Sequence, residues 1–161
     1  MRREYIVGTI VLTALLTSCG LLLNAGITKL AFGCLPAGTP IDTPTGPVPI
    51  EKLHTGDLVI GYDGSPVTVS QIHQYQEDPS QARHLTVTFT NHSAVSLSPK
   101  HRIGGIPAGE LRPGDSIEGN TVSEIRPLGG VFRSYDLLTG DRGYRIHGLP
   151  VDSMIEEMAG R

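Results

Sequence analysis

Two stretches decide how this chain is read: IEKLHTGDLV, Ile50–Val59, and AGELRPGDSI, Ala108–Ile117. Each holds a leucine, two further residues and then Gly-Asp, as Leu53 with Gly56-Asp57 and Leu111 with Gly114-Asp115. A second pair follows in the same order, Val69-Ser70-Gln71-Ile72 and Val122-Ser123-Glu124-Ile125, at offsets of 58 and 53 residues between copies. One short motif recurring among Gly-rich turns carries little weight. Two motifs repeated in order predict a duplicated half-domain. Gly-Asp after a leucine reads as a turn feeding a strand, Leu58–Tyr62 in the first copy.

The flanking sequence reads as strands too. In HLTVTFTNHSAVSLSP, Leu85, Val87 and Phe89 alternate with Thr86, Thr88 and Thr90. Asn91-His92-Ser93 turns the chain, and Val95 and Leu97 alternate with Ser96 and Ser98. That is the pattern of a hairpin with one face buried. SYDLLTGDRGYRIHG predicts a second hairpin, turning at Thr139–Gly143. The 20 glycines and 12 prolines favour short strands and turns over long helices. Outside the N-terminal apolar run and the tail DSMIEEMAGR, few windows keep a helical period. The body is predicted to be all-β, with two related halves sharing one core.

Composition narrows the function. The 161 residues suit one domain plus a short extra element. A formal net charge of -3 gives no general attraction to nucleic acid. Trp is absent, with 5 Tyr and 3 Phe, so a stacking platform for bases or sugars is not expected. The charge is uneven: Arg2, Arg3 and Lys29 against Glu4 leave residues 1–33 at +2 and the remainder at -5.

The N-terminal segment MRREYIVGTIVLTALLTSCGLLL has a basic start and an apolar run from Tyr5 to Leu23. Three readings stand open. Leu16-Thr17-Ser18-Cys19 resembles a bacterial lipoprotein signal, with Cys19 the lipidation candidate. The run is also long enough for an uncut membrane anchor, for which about 20 apolar residues suffice. The third reading is an ordinary cleaved signal. In each, the leading positive charge sends the body outside the cytoplasmic membrane. The chain stays apolar after Cys19, which weighs against a lipoprotein tether.

With only two cysteines, a disulfide framework is not indicated. The second, Cys34, follows Gly33 at the seam between the apolar segment and the body. A cysteine thiol can attack the preceding carbonyl and turn the peptide bond into a thioester. That step is uphill in a relaxed chain. A fold can drive it by straining the bond, protonating the departing amine and stabilising the oxyanion. SLSPKHRI places Ser98 and His101 three residues apart on a bend, able to aim at one peptide bond. His54, His73, His84 and His92 show no ligand spacing with cysteine, so no metal site is expected. His147, beside the closing strand, is given no role.

Three blocks in order resemble a known family. CLPAGTPIDTPTGPVPIEKLHTGDLVIGYDG, VSLSPKHRI and SYDLLTGDRGYRIHGLPV are similar to the opening, middle and closing blocks of the Hint domain. Hint domains are the self-processing modules of hedgehog C-terminal regions, inteins and bacterial intein-like proteins. The resemblance spans Cys34 to Ser153 and implies a pseudo-twofold, horseshoe-like all-β fold. It divides the chain into an N-terminal signal or anchor helix (1–33), a Hint domain (34–153) and a short tail (154–161).

The resemblance also implies roles. Cys34 is the nucleophile, His101 assists breakage of the Gly33–Cys34 bond and Ser98 stands in the family's threonine place. Asp136 tunes the thiol or relays a proton. The chain departs from the splicing members at its far end. They end in His-Asn; here Asp152 and Ser153 take those places, and Arg142 replaces an earlier histidine. The implied activity is an N-to-S acyl shift with N-terminal cleavage and without full splicing. It would be a single-turnover event with the protein's own N-terminal segment as substrate and no cofactor. Two other readings are a catalytically weak Hint-fold interaction domain and a thiol hydrolase acting on other molecules.

Overall fold

Both copies of the repeat build the same turn. In the computed structural model, which describes residues 34–80 and 84–155, Gly56 donates its N–H to Val69 O at 2.8 Å and Val69 donates to Asp57 O at 2.9 Å. The second copy repeats this with Gly114 to Val122 O at 2.8 Å and Val122 to Asp115 O at 2.8 Å. The aspartate side chains close matching loops: His54 N–H donates to Asp57 Oδ2 at 2.8 Å, and Arg112 N–H to Asp115 Oδ2 at 2.7 Å. Gly56 and Gly114 both need a left-handed backbone, with φ of 98° and 99°, which only glycine adopts without strain. Leu53, Leu111, Val69 and Val122 are buried. The repeat is therefore structural: two equivalent turns, each pinned to the core by a leucine before it and a valine after it.

The described residues are all-β apart from a short 3-10 turn at Ile50–Lys52 and the start of a helix at Met154–Ile155. In chain order the strands are β1 (Leu35–Pro36), β2 (Pro40–Ile41), β3 (Val48–Pro49), β4 (Leu58–Ile60) and β5 (Pro66–Thr68). Then come β6 (Gln71–Gln76), β7 (His84–Phe89), β8 (Ala94–Leu97), β9 (Arg102–Ile103) and β10 (Ile106–Pro107). The last are β11 (Ser116–Ile117), β12 (Asn120–Leu128), β13 (Arg133–Leu138), β14 (Gly143–Ile146) and β15 (Leu149–Asp152). After each repeat turn a long strand is launched. β6 pairs antiparallel with β13, and β12 pairs antiparallel with β7.

The hairpin read in residues 84–98 forms as expected. β7 pairs with β8, placing Leu85 opposite Leu97 and Val87 opposite Val95. Val87, Phe89, Val95 and Leu97 face the core, each contributing roughly 1.5–3 kcal/mol when fully buried. On the other face Thr86 and Ser96 hydroxyls meet at 2.8 Å.

The second expected hairpin does not form. The chain bends at Gly140–Arg142, but the strands on either side go to different sheets. β13 lies between β1 and β6, while β14 pairs with β15. The reason lies at Gly143, where any side chain would run into the Val151 carbonyl and the Asp152 backbone. Glycine lets β14 close onto β15 there. The tight turn of that closing hairpin is His147-Gly148, with φ of 52° and 77°, the two positive values of a type I′ turn.

The N-terminal anchor helix, Cys19, Gly33 and residues 156–161 lie outside the described residues. Among the described residues, no helix is long and apolar enough to cross a membrane.

Candidate active site

Cys34 stands directly before β1. Leu35 pairs with Tyr135 of β13, so the next antiparallel step places Cys34 across from Asp136. The cysteine is a free thiol and only 1% exposed. Its carbonyl oxygen accepts a hydrogen bond from His84 Nε2 at 3.1 Å. Burial raises the thiol pKa well above the ordinary range, and the negative charges of Asp136 and Glu77 raise it further. Cys34 therefore rests as a protonated thiol.

Asp136 is fully buried in the middle of β13 and collects four donors. Its Oδ1 accepts from the Tyr144 hydroxyl at 2.7 Å and from the Leu137 N–H at 2.8 Å. Its Oδ2 accepts from the Ile155 N–H at 3.1 Å and, more weakly, from the Ser153 hydroxyl at 3.4 Å. These donors take up its lone pairs and hold the carboxylate in place. It tunes the thiol upward. Burial and the same carboxylate push the Tyr144 hydroxyl well above its ordinary value, so Tyr144 remains a donor.

Ser98 and His101 lie on the bend between β8 and β9. The His101 N–H donates to Ser98 O at 3.1 Å, and Ala108 N–H donates to His101 O at 2.8 Å. Both side chains are buried, and the Ser98 hydroxyl meets no hydrogen-bond partner among the described residues. The His84 and His101 imidazoles lie in each other's field, and His84 bonds the Cys34 carbonyl.

The structure thus brings Cys34, Asp136 and, through His84, His101 into one buried neighbourhood. It places His147 elsewhere, exposed at the tip of the closing hairpin with its N–H donated to Asp42 Oδ1 at 3.1 Å.

Three participants escaped the sequence reading. His84 has no spacing relation to Cys34, fifty residues away, and was weighed only as a metal ligand. Tyr144 bonds Asp136 across the β13–β14 turn, where nothing in the pattern marks it. Tyr75 feels both Cys34 and Asp136; burial first, then their charges, raise its pKa. Nothing in the β6 pattern marks Tyr75, since Gln74 and Gln76 leave the other strand face polar as well.

The far end of the domain is built differently. Arg142 donates to Asp152 Oδ2 from Nη2 at 3.0 Å and from Nε at 3.3 Å, while its guanidinium lies 4.4 Å from the centre of the Tyr62 ring. Ser153 donates its N–H to Arg142 O at 3.0 Å. This is an ion-paired, stacked closure, and Ser153 has no carboxamide that could cyclise. Among the described residues no group of three His, Cys, Asp or Glu side chains is placed to hold a metal ion.

An all-β duplicated core with a cysteine at its first strand, backed by a buried aspartate and a Ser-x-x-His bend, defines the self-processing fold class of inteins and their relatives. The comparisons agree. The family model for the Hint domain matches residues 33–106. The chain is similar to the Hint domain over those residues and has the fold of inteins and intein-like domains.

Iron-sulfur cluster assembly SufBD family proteins of Mycobacterium bovis and Mycobacterium tuberculosis are 38% identical to it over 81 residues, which take in 50% of this chain and 9% of each relative. A bacterial intein-like domain from Clostridium thermocellum aligns over 74% of this chain and 96% of its own, at 21% identity and a TM-score of 0.62. A DnaB intein from Synechocystis sp. PCC 6803 aligns over 75% and 98%, at 14% identity and a TM-score of 0.63. The gp41-1 intein aligns over 74% and 97%, at 17% identity and a TM-score of 0.57. At these identities the structural likeness speaks for the fold.

Proposed function

We propose that the domain breaks its own chain at Gly33–Cys34 by an N-to-S acyl shift and does not go on to splice. The Cys34 sulfur adds to the Gly33 carbonyl carbon, and the bond from that carbon to the Cys34 nitrogen breaks. The thiol proton ends on the released amine, so the shift is an isomerisation that needs no co-reactant. His101 is the group to carry that proton, and Ser98 is the hydroxyl to orient or stabilise the reacting carbonyl. A thiol or water then takes the acyl group of residues 1–33 and frees a chain beginning at Cys34.

The observation that carries this reading is the contrast around Asp136. On one side stands a free, buried thiol at the start of β1. On the other stand Ser153 and the Arg142–Asp152 pair, which the family resemblance aligns with the splicing members' cleavage groups. The protein incubated with excess thiol should divide into residues 1–33 and 34–161 by intact mass. Cys34→Ala should remain whole.

A second reading is a catalytically weak Hint-fold interaction domain. The raised thiol pKa favours it, because a buried thiol beside two carboxylates is a reluctant nucleophile. A wild-type protein that stays whole in thiol would decide for it.

The basic start and the apolar run to Leu23 support a body held outside the cytoplasmic membrane, through a lipidated Cys19 or an uncut anchor. Protease added to spheroplasts should digest the body, and full protection would contradict this. Incorporation of labelled fatty acid that disappears in Cys19→Ala would select the lipoprotein form.

A further inference from the structure

We infer that His84 is a positioning residue for the Gly33–Cys34 bond, acting as a neutral Nε2–H donor that holds the Cys34 carbonyl. The inference rests on the cleavage reading above. The approach of the thiol to the preceding carbonyl carbon depends on two torsions of Cys34, φ and χ1, and the placing of that pair in the fold depends on where the Cys34 Cα is held. β1 fixes the chain from Leu35 onward, through its pairing with Tyr135. The 3.1 Å bond from His84 Nε2 to Cys34 O fixes the orientation of the peptide between Cys34 and Leu35. That holds the Cys34 Cα and its bond to the carbonyl carbon, the pivot from which the thiol and the Gly33–Cys34 bond both project. Rotation in φ and χ1 then brings sulfur and carbonyl carbon together. Loss of the bond frees the pivot, and misplacement of the reacting bond by about 1 Å can cost 10²-fold in rate.

The surroundings also fix the protonation state. A carbonyl oxygen can only accept, so Nε2 must carry the proton and the neutral ring leaves Nδ1 bare. Nδ1 is buried and meets no partner among the described residues. Adding a proton there would bury an unsatisfied N–H. Burial lowers the His84 pKa, Glu77 and the bond to Cys34 O pull it upward, and His101 pushes it down again. These are the charged and titratable groups that act on the ring: Glu77, whose carboxylate accepts from the Ser134 hydroxyl, and His101. The two histidines therefore divide the work. His84 stays neutral and holds the nucleophile's backbone, which leaves proton transfer to His101.

A pair of amide variants separates positioning from general support of the fold. The glutamine Nε2 reaches about where the histidine Nε2 sits; asparagine, one methylene shorter, does not. In the thiol-induced cleavage assay on the full chain, His84→Leu and His84→Asn should be slower by about 10–100-fold. His84→Gln should recover most of the rate with an unchanged pH profile. Nitrogen-15 NMR of Cys34→Ala, which cannot cleave, should show His84 as the Nε2–H tautomer and still neutral where exposed histidines titrate.

If the leucine variant fails to fold, the Gln and Asn pair alone decides. A wild type that never cleaves overturns the cleavage reading and this inference with it. A wild type that cleaves while His84→Asn matches its rate overturns the inference alone, as does an Nδ1–H tautomer.

Discussion

The two ends of the domain meet at one carboxylate and are made for different ends. At the amino-terminal end, Cys34 is a free thiol across from Asp136, with its carbonyl held by His84. At the carboxy-terminal end, the Ile155 N–H and the Ser153 hydroxyl bond the same Asp136, and Asp152 is spent on Arg142. The first end holds a free thiol. The second holds hydrogen bonds that close β15 against the core. Asp136 faces both: burial and then its charge raise the thiol pKa, and its Oδ2 holds the end of the domain.

The comparison breaks most readily at His101. Removing a group that carries the proton to the leaving amine should slow thiol-induced cleavage by about 10²–10⁴-fold in His101→Ala. The cleavage rate of purified full-length protein, followed by intact mass, measures it. A loss below tenfold would mean that the Ser98–His101 bend takes no part.

The contrast between ends sharpens in the double variant Asp152→His with Ser153→Asn. It restores the pair that the splicing members use and releases Arg142 from its partner. Release of residues 154–161 should appear where the wild type shows none. If it does not appear, the carboxy-terminal end is held by more than the identity of these two residues.

Stability should report both buried titrating groups near the first end. The His84 pKa is lowered from 6.5, so the unfolded chain binds more protons as pH falls through 6.5, and stability is lost on the acid side. The Cys34 pKa is raised above 9.0, so its contribution is complete below 9.0 and is lost as pH rises beyond it. Melting temperature against pH should therefore fall on both flanks. His84→Gln should make the acid flank shallower and Cys34→Ala the alkaline one, where the raised Tyr75 and Tyr144 hydroxyls keep part of the slope, each leaving the other flank in place.

Ser98→Thr should do least. It restores the family's residue, adds one methyl group at a buried position and keeps the hydroxyl. The cleavage rate should hold or rise modestly, and a large loss would show that the bend has no room for the extra methyl.

Much of this was readable in the chain, for local reasons. The repeat was legible because each Leu-x-x-Gly-Asp turn is one short segment whose hydrogen bonds close within a few residues or onto the next strand. The hairpin of residues 84–98 was legible from strict alternation. Cys34, Ser98, His101 and Asp136 stood out through the chemistry of their residue types together with the family resemblance. His84 did not, because what matters is a contact across fifty residues between a side chain and a backbone carbonyl. The false hairpin at Thr139–Gly143 failed for a related reason. A turn signal says that the chain reverses; which sheet receives the next strand is decided by Gly143 meeting the backbone of β15.

The central claim is that the Gly33–Cys34 peptide passes through a thioester on Cys34, and hydroxylamine tests it most directly. Added to the purified full chain, it should release residues 1–33 ending in a hydroxamate at Gly33, together with residues 34–161 beginning with a free cysteine amine. Mass spectrometry reads both ends at once, and Cys34→Ala should yield neither. A wild-type chain that stays intact in hydroxylamine, with Cys34 still open to alkylation after unfolding, would contradict the account.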